Sequence, residues 1–317
     1  MRVHRKYWGL PKAALYGVVA IGNFDGVHRG HRALIEAARA RAHELEAPLG
    51  VITFEPHPRE VLTPESAPPR ITPFRIKAHL LAELGVEDLF ALAFSEHLRQ
   101  KTPEAFVHDV LAGGLGVRHV VIGYDFRFGY KAEGDEAGLR ELGADYGFGV
   151  TVVEPVTWRG EVCSSSRTRA AVASGEVALA RDLLGHPFLL EGRVAAGEKR
   201  GRGLGYPTAN LHPPPRGALV PPAGIYALRA SHRRGGAPVW RPAVASLGMR
   251  PTFDGEDFLI EVHLLDGGAD LYGSRLCCAF VDRLRDEVRF ASVDDLKAQM
   301  AQDCIQARDL LLASPGI

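Results

Sequence analysis

Two histidines three residues apart, His28 and His31, lie in the string GNFDGVHRGH at residues 22–31, where residue types and spacing suggest chemistry. The string follows a β-type apolar run and opens a helical pattern, so both imidazoles share one face of a first helical turn. A helix start offers N–H groups and partial positive charge, and Gly26 and Gly30 let the backbone approach a ligand closely. The chemistry on offer is stabilisation of charge on a phosphate. The string is neither a G-x-G-x-x-G fingerprint nor a Walker loop, and two surface histidines at a helix start are the plainer alternative.

Other strings carry similar promise. SSSRTR (164–169) precedes a helical run beginning near Ala170; serines cap helices and the forked donors of Arg167 and Arg169 suit phosphate oxygens, although taken alone the string favours plain capping with solvated arginines. GYDFRFG (123–129) follows a strand, and if it stays extended Phe126 and Phe128 fall on one face and Asp125 and Arg127 on the other. Aromatics there suit a flat heteroaromatic ligand or a core. In TFEPHP (53–58) His57 is either a pocket residue or a loop histidine.

A second group lies further along. KRGRGLGYPTAN (199–210) joins a basic glycine loop, with Gly201, Arg202 and Gly203, to a strand on which Thr208 and Asn210 share a face. Their oxygens suit a phosphate-bound Mg²⁺. In FLIEVHLL (258–265) Glu261 shares a face with Leu259, His263 and Leu265, where desolvation favours a general base and a salt bridge to a nearby arginine is the competing account.

The elements that position these residues change character along the chain. Strands at 17–21, 50–54, 88–94, 118–122 and 149–153 alternate with helices at 33–46, 76–84, 103–111 and 139–146, which predicts a parallel α/β sheet. A helix carrying Val177, Ala180, Arg181 and Leu184 ends at Gly185, and the domain boundary is placed there: 1–185 and 186–317. Strands at 188–194, 208–211, 224–230, 240–247, 259–265 and 277–284, without helices between them, predict a small barrel. A final helix capped by Ser292 carries the stripe Val293, Leu296, Met300, Cys304 and Leu311.

Composition narrows the class. At 317 residues and 46% hydrophobic content the chain fills about two cores. Lys plus Arg equals Asp plus Glu at 38 each, so no net field draws it to nucleic acid or an anionic membrane. Four cysteines, at 163, 277, 278 and 304, fit neither a disulfide framework nor a zinc site and suit the reducing cytoplasm; Cys277-Cys278 is placed in a barrel strand. The basic start before AALYGVVAIG imitates a signal peptide, yet GNFDG follows in place of a cleavage site, and no run is long enough to span a membrane. The sequence assigns no oligomeric state.

His-x-Gly-His resembles the signature of the nucleotidylyltransferase superfamily. GNFDGVHRGH, TFEPHP, GYDFRFG and SSSRTR, in that order, resemble the FMN adenylyltransferase half of the bacterial bifunctional riboflavin kinase/FAD synthetases. GRGLGYPTANL, VPPAGIYA, GMRPTF, EVHLLD, DLYG and LRDEVRF resemble the riboflavin kinase half. The resemblance implies a Rossmann-like nucleotidylyltransferase domain followed by a six-stranded antiparallel barrel with a terminal helix. It implies ATP-dependent phosphorylation of riboflavin to FMN, then adenylylation of FMN to FAD with release of pyrophosphate.

By motif position it makes Glu261 the base on the ribityl hydroxyl, with Gly201, Arg202, Gly203, Thr208 and Asn210 around ATP and Mg²⁺ on Thr208 and Asn210. It makes Gly22, Asn23, Phe24, His28, His31, Ser165 and Arg169 the ATP site of the adenylyltransferase, His28 and His31 stabilising its transition state. Asp125, Phe126, Arg127 and Phe128 would bind flavin. Tyr206, Ser246, Gly267 and Thr168 depart from the family's usual residues. An adenylyltransferase with a passive barrel and a flavin carrier with a dead site are the alternatives.

Overall fold

Apolar central strands, buried on both faces, anchor the first half of the chain. A computed structural model describes residues 1–195, 205–212, 217–232, 239–252, 255–267 and 271–314, with only the backbone of 249–252 and 255–257. The chain divides into two compact units, 1–68 with 73–164 and 69–72 with 165–317.

In the first unit the strands are β1 (Arg2–His4), β2 (Val18–Ile21), β3 (Leu49–Glu55), β4 (Asp88–Ala93), β5 (His119–Gly123) and β6 (Gly149–Val153). They form one parallel sheet in the order β1-β4-β3-β2-β5-β6. Between them lie α1 (Arg29–Glu44), α2 (Pro58–Leu62), α3 (Phe74–Glu83), α4 (Glu96–Arg99), α5 (Pro103–Phe106), which continues as a π-helix over Val107–Leu115, and α6 (Glu136–Tyr146). A small hairpin, β7 (Thr157–Trp158) and β8 (Glu161–Val162), follows. The chain runs from β2 outward to β3 and β4, then returns to place β5 on the other side of β2. That reversal makes the carboxyl ends of β2 and β5 a topological switch point, the place where open α/β sheets bind ligands. GNFDGVHRGH follows β2 and GYDFRFG follows β5.

Six strands replace the five expected. β1 belongs to the basic start that imitates a signal peptide: Arg2 Nε donates to Asp88 Oδ1 at 2.7 Å and His4 Nε2 lies 2.7 Å from the same oxygen, which pins a three-residue edge strand to buried Asp88.

The second unit begins with α7 (Ser165–Ala173) and α8 (Val177–Leu184), which ends at Gly185 in a left-handed conformation, φ 76°. α8 packs on the barrel strands β9 (Phe188–Ala195) and β14 (Arg275–Arg285). With β10 (Thr208–Leu211), β11 (Gly224–His232), β12 (Val239–Thr252) and β13 (Gly255–Leu264) they close in the order β10-β13-β12-β11-β14-β9, every pairing antiparallel, as expected from the sequence. Leu228, Ala245, Leu247, Ile260, Val262, Cys278 and Phe280 fill the interior.

The terminal helix, α9 (Val293–Ala313), is capped by the Ser292 side chain, which accepts from the Asp295 amide at 3.1 Å. Its buried residues are Asp303, Cys304, Ala307 and Leu311; Val293 is exposed. The predicted stripe thus holds only in the later turns, and Asp303 enters the packed face because Arg285 pairs with it at 2.9 and 2.7 Å.

Two candidate active sites

The loop between β2 and α1 is shaped by left-handed residues: Phe24 (φ 50°), Gly26 (φ 89°) and Val27 (φ 45°). A β-branched valine in that region is costly, of order 1 kcal/mol or more, and such conformations gather at ligand sites. The turn ends at His28, the N-cap of α1, whose Nδ1 accepts the His31 amide at 3.4 Å. That bond places the proton of a neutral imidazole at this position on Nε2. The two imidazoles stack with centroids 3.7 Å apart, and His31 also packs on Phe24 at 5.0 Å.

His31 Nδ1 is buried with no hydrogen-bond partner among the described residues. Burial, followed by the charges of His28 and Lys77, holds its pKa well below the usual imidazole value. Gly30 sits close to the same packing: a Cβ there would lie 3.1 Å from the His28 ring and 3.5 Å from the Cys163 carbonyl. Arg29 lies over the Trp158 ring at 4.9 Å, so the β7–β8 hairpin borders this turn.

The candidates Gly22, Asn23, Phe24, His28 and His31 come together at this helix start, with Asn23 exposed and Phe24 buried. Behind them runs a polar chain that the sequence reading missed. Thr53 Oγ1 donates to the Asn23 carbonyl at 3.1 Å, Lys77 Nζ donates to Thr53 Oγ1 at 3.5 Å, and the same ammonium pairs with Glu55 at 2.9 Å. The signal was present: Lys77 stands on the helix face of Leu80, Leu81 and Leu84, an apolar stripe in which a lysine needs a reason.

His57 has a cap role, its Nδ1 accepting the Arg59 amide at 3.2 Å at the start of α2. After β5, Phe126 and Phe128 stack at 5.6 Å while Asp125 and Arg127 are exposed. Phe128 is a core residue and half-buried Phe126 is its outward neighbour. Ser165 and Arg169 belong to the second unit and lie on α7 itself, which starts earlier than the run expected from Ala170; Arg169 Nε donates to the Pro69 carbonyl at 2.8 Å.

The second site is on the outer face of the barrel. Inward residues alternate with Thr208 and Asn210 on β10 and with Glu261 and His263 on β13, so these four face outward. Asn210 stands opposite Glu261, and Ser246 of β12 stands opposite Glu261 on its other side. Thr208 Oγ1 donates to Glu261 Oε1 at 3.5 Å. His263 Nδ1 lies 2.9 Å from the Pro207 carbonyl and its ring meets Tyr206 edge-on at 5.4 Å, so the Tyr206 ring is used in packing. Gly267 has φ 98°, a conformation that favours glycine over a larger residue. Gly201, Arg202 and Gly203 lie outside the described residues.

The donor set here is all oxygen: a hydroxyl, an amide oxygen and a carboxylate. Asn210 Oδ1 is buried with no hydrogen-bond partner among the described residues, as befits an acceptor awaiting a cation. A hard divalent ion held by few protein ligands and by phosphates fits such a set.

Comparison with known proteins agrees with this division. Residues 11–167 match the FAD synthetase family and residues 184–311 the riboflavin kinase family. Bifunctional riboflavin kinase/FMN adenylyltransferases are 41% identical over 310 residues in Escherichia coli strain K12 (98% of this chain, 97% of that one) and 43% over 300 residues in Pseudomonas fluorescens (94% of each). A solved chain from Streptococcus pneumoniae, described as a macrolide-efflux protein, superposes with a TM-score of 0.84 at 32% identity over 97% of this chain and 98% of that one. No described helix here is long and apolar enough to cross a membrane. With one site at a parallel-sheet switch point and another on a closed barrel, the chain belongs to the bifunctional riboflavin kinase/FMN adenylyltransferases, which make FMN from riboflavin and FAD from FMN.

Proposed function

We propose that residues 1–185 carry adenylyl transfer and 186–317 the kinase reaction, each with its own ATP site. In the kinase, Glu261 accepts the proton of the ribityl hydroxyl as its oxygen attacks the γ-phosphorus of ATP; the bond to the β-phosphate oxygen breaks and ADP leaves. Thr208 and Asn210 hold Mg²⁺, which when bound neutralises phosphate charge. Gly201, Arg202 and Gly203 complete the phosphate loop.

In the adenylyltransferase, an FMN phosphate oxygen attacks the α-phosphorus of ATP and pyrophosphate leaves. His28 and His31 donate to the oxygens on which charge grows, at the positive end of α1. Gly22, Asn23 and Phe24 shape the ATP loop, Ser165 and Arg169 bind its phosphates, and Asp125, Phe126 and Arg127 meet the flavin while Phe128 anchors their loop. Use of ATP supports a cytoplasmic setting, with small molecules rather than nucleic acid or membrane as partners.

The observation that carries the kinase assignment is the cross-strand pair of Asn210 and Glu261 with Thr208 on the same face. A Mg²⁺ titration of FMN formation tests it: Asn210→Ala raises the Mg²⁺ concentration needed for half-maximal rate. An unchanged requirement removes Asn210 from the metal.

A further inference from the structure

We propose that Lys77 is a positioning residue of the adenylyl-transfer site, holding the β2–α1 loop through Thr53 and placing a fixed positive charge behind His31. The inference rests on the reading of His28 and His31 given above. Lys77 is completely buried, as is Thr53, and the Thr53 hydroxyl reaches the backbone of the exposed loop residue Asn23. A buried ammonium is expensive unless paired. Here Glu55 pairs with it at 2.9 Å, and a second link runs through the Thr53 hydroxyl to the carbonyl of Asn23, one residue before left-handed Phe24. The conformation of that loop is thus tied to a charged group on a different element, α3.

Charged and titratable groups near His31 come from more than one element. His28 stacks on it from its own turn; Lys77 acts on it from α3; Glu55 of β3 lies beyond Lys77, and Asp25 is buried in the loop. Of these, His28 and Lys77 disfavour the imidazolium. With Lys77 charged, His31 enters the reaction neutral and can donate one proton without carrying a charge that would bind ATP and its transition state alike.

Three variants of the full chain test this, each assayed for FAD formation from FMN and ATP across pH, with FMN formation as the internal control. Lys77→Met lowers kcat by about tenfold to a hundredfold and moves the acid limb of the profile to higher pH, because His31 protonates more readily. Lys77→Arg keeps the charge and the wild-type acid limb. Thr53→Val keeps charge and volume, lowers kcat about tenfold and leaves the acid limb in place.

Wild-type kcat and acid limb in Lys77→Met, or the same shift in Lys77→Met and Lys77→Arg, overturns the proposal. If Lys77→Met loses its cooperative melt, Thr53→Val decides, and wild-type kcat there overturns the tie to the loop. His31→Ala separates the two levels. Full FAD formation in that variant defeats the histidine reading itself, whereas an impaired His31→Ala beside an unaffected Lys77→Met defeats the Lys77 proposal alone.

Discussion

His31 lies stacked on His28, ring centroids 3.7 Å apart, while its own amide is held by His28 Nδ1. Two imidazolium ions at that separation would repel, and burial adds to the penalty, so His31 stays neutral where an ordinary histidine charges. Because the folded-state pKa of His31 is depressed, its stability contribution is present above the unfolded value of about 6.5 and is lost as pH falls toward the folded value. FAD formation therefore keeps its rate through pH 6.5, and unfolding free energy falls below it. Rate profiles and denaturant titrations at pH 7.5 and 5.5 check both; an acid limb centred at 6.5 contradicts a neutral His31.

Gly30 sets activity against stability. Alanine at a helical position is favoured by about 1 kcal/mol, yet its Cβ would press on the His28 ring from 3.1 Å. Gly30→Ala is expected to lose about tenfold or more in FAD formation through a displaced imidazole, without a matching loss of melting temperature. Equal losses in both would place the glycine's role in folding.

The bidentate pair of Arg285 and Asp303 ties α9 to β14, and Asp303 is almost fully buried. Asp303→Ala strands a guanidinium and is expected to cost about 3–5 kcal/mol of barrel stability. Denaturant unfolding followed in the full chain checks the value; a change below about 1 kcal/mol would show that Arg285 finds water or another acceptor.

Much of this architecture was legible because alternation fixes the face of a strand. Thr208 with Asn210, and Glu261 with His263, fall on shared faces by parity alone, and the apolar runs at β2 and β5 mark a sheet covered on both sides. Parity does not give register, however, so the pairing of Asn210 and Ser246 with Glu261 emerges only from the closed barrel. β1 escaped because three residues carry no period and their partner, Asp88, is far along the chain. Phe126 and Phe128 were equivalent in sequence; the approach of Gly134, whose bare backbone pairs with Phe128, makes one of them core. Lys77 was hidden inside an apolar stripe, where periodicity counts positions and ignores the ion pair that permits an exception.

The central claim is that one chain holds two separable transferase sites. Glu261→Ala and the double variant His28→Ala/His31→Ala, each supplied in turn with riboflavin and ATP or with FMN and ATP, test it by separation of the flavin products. Glu261→Ala is expected to form no FMN yet convert FMN to FAD near the wild-type rate, and the histidine variant to form FMN normally while FAD formation falls by about 10²–10³ or more. Loss of both reactions in both variants, with each still folded, would contradict it.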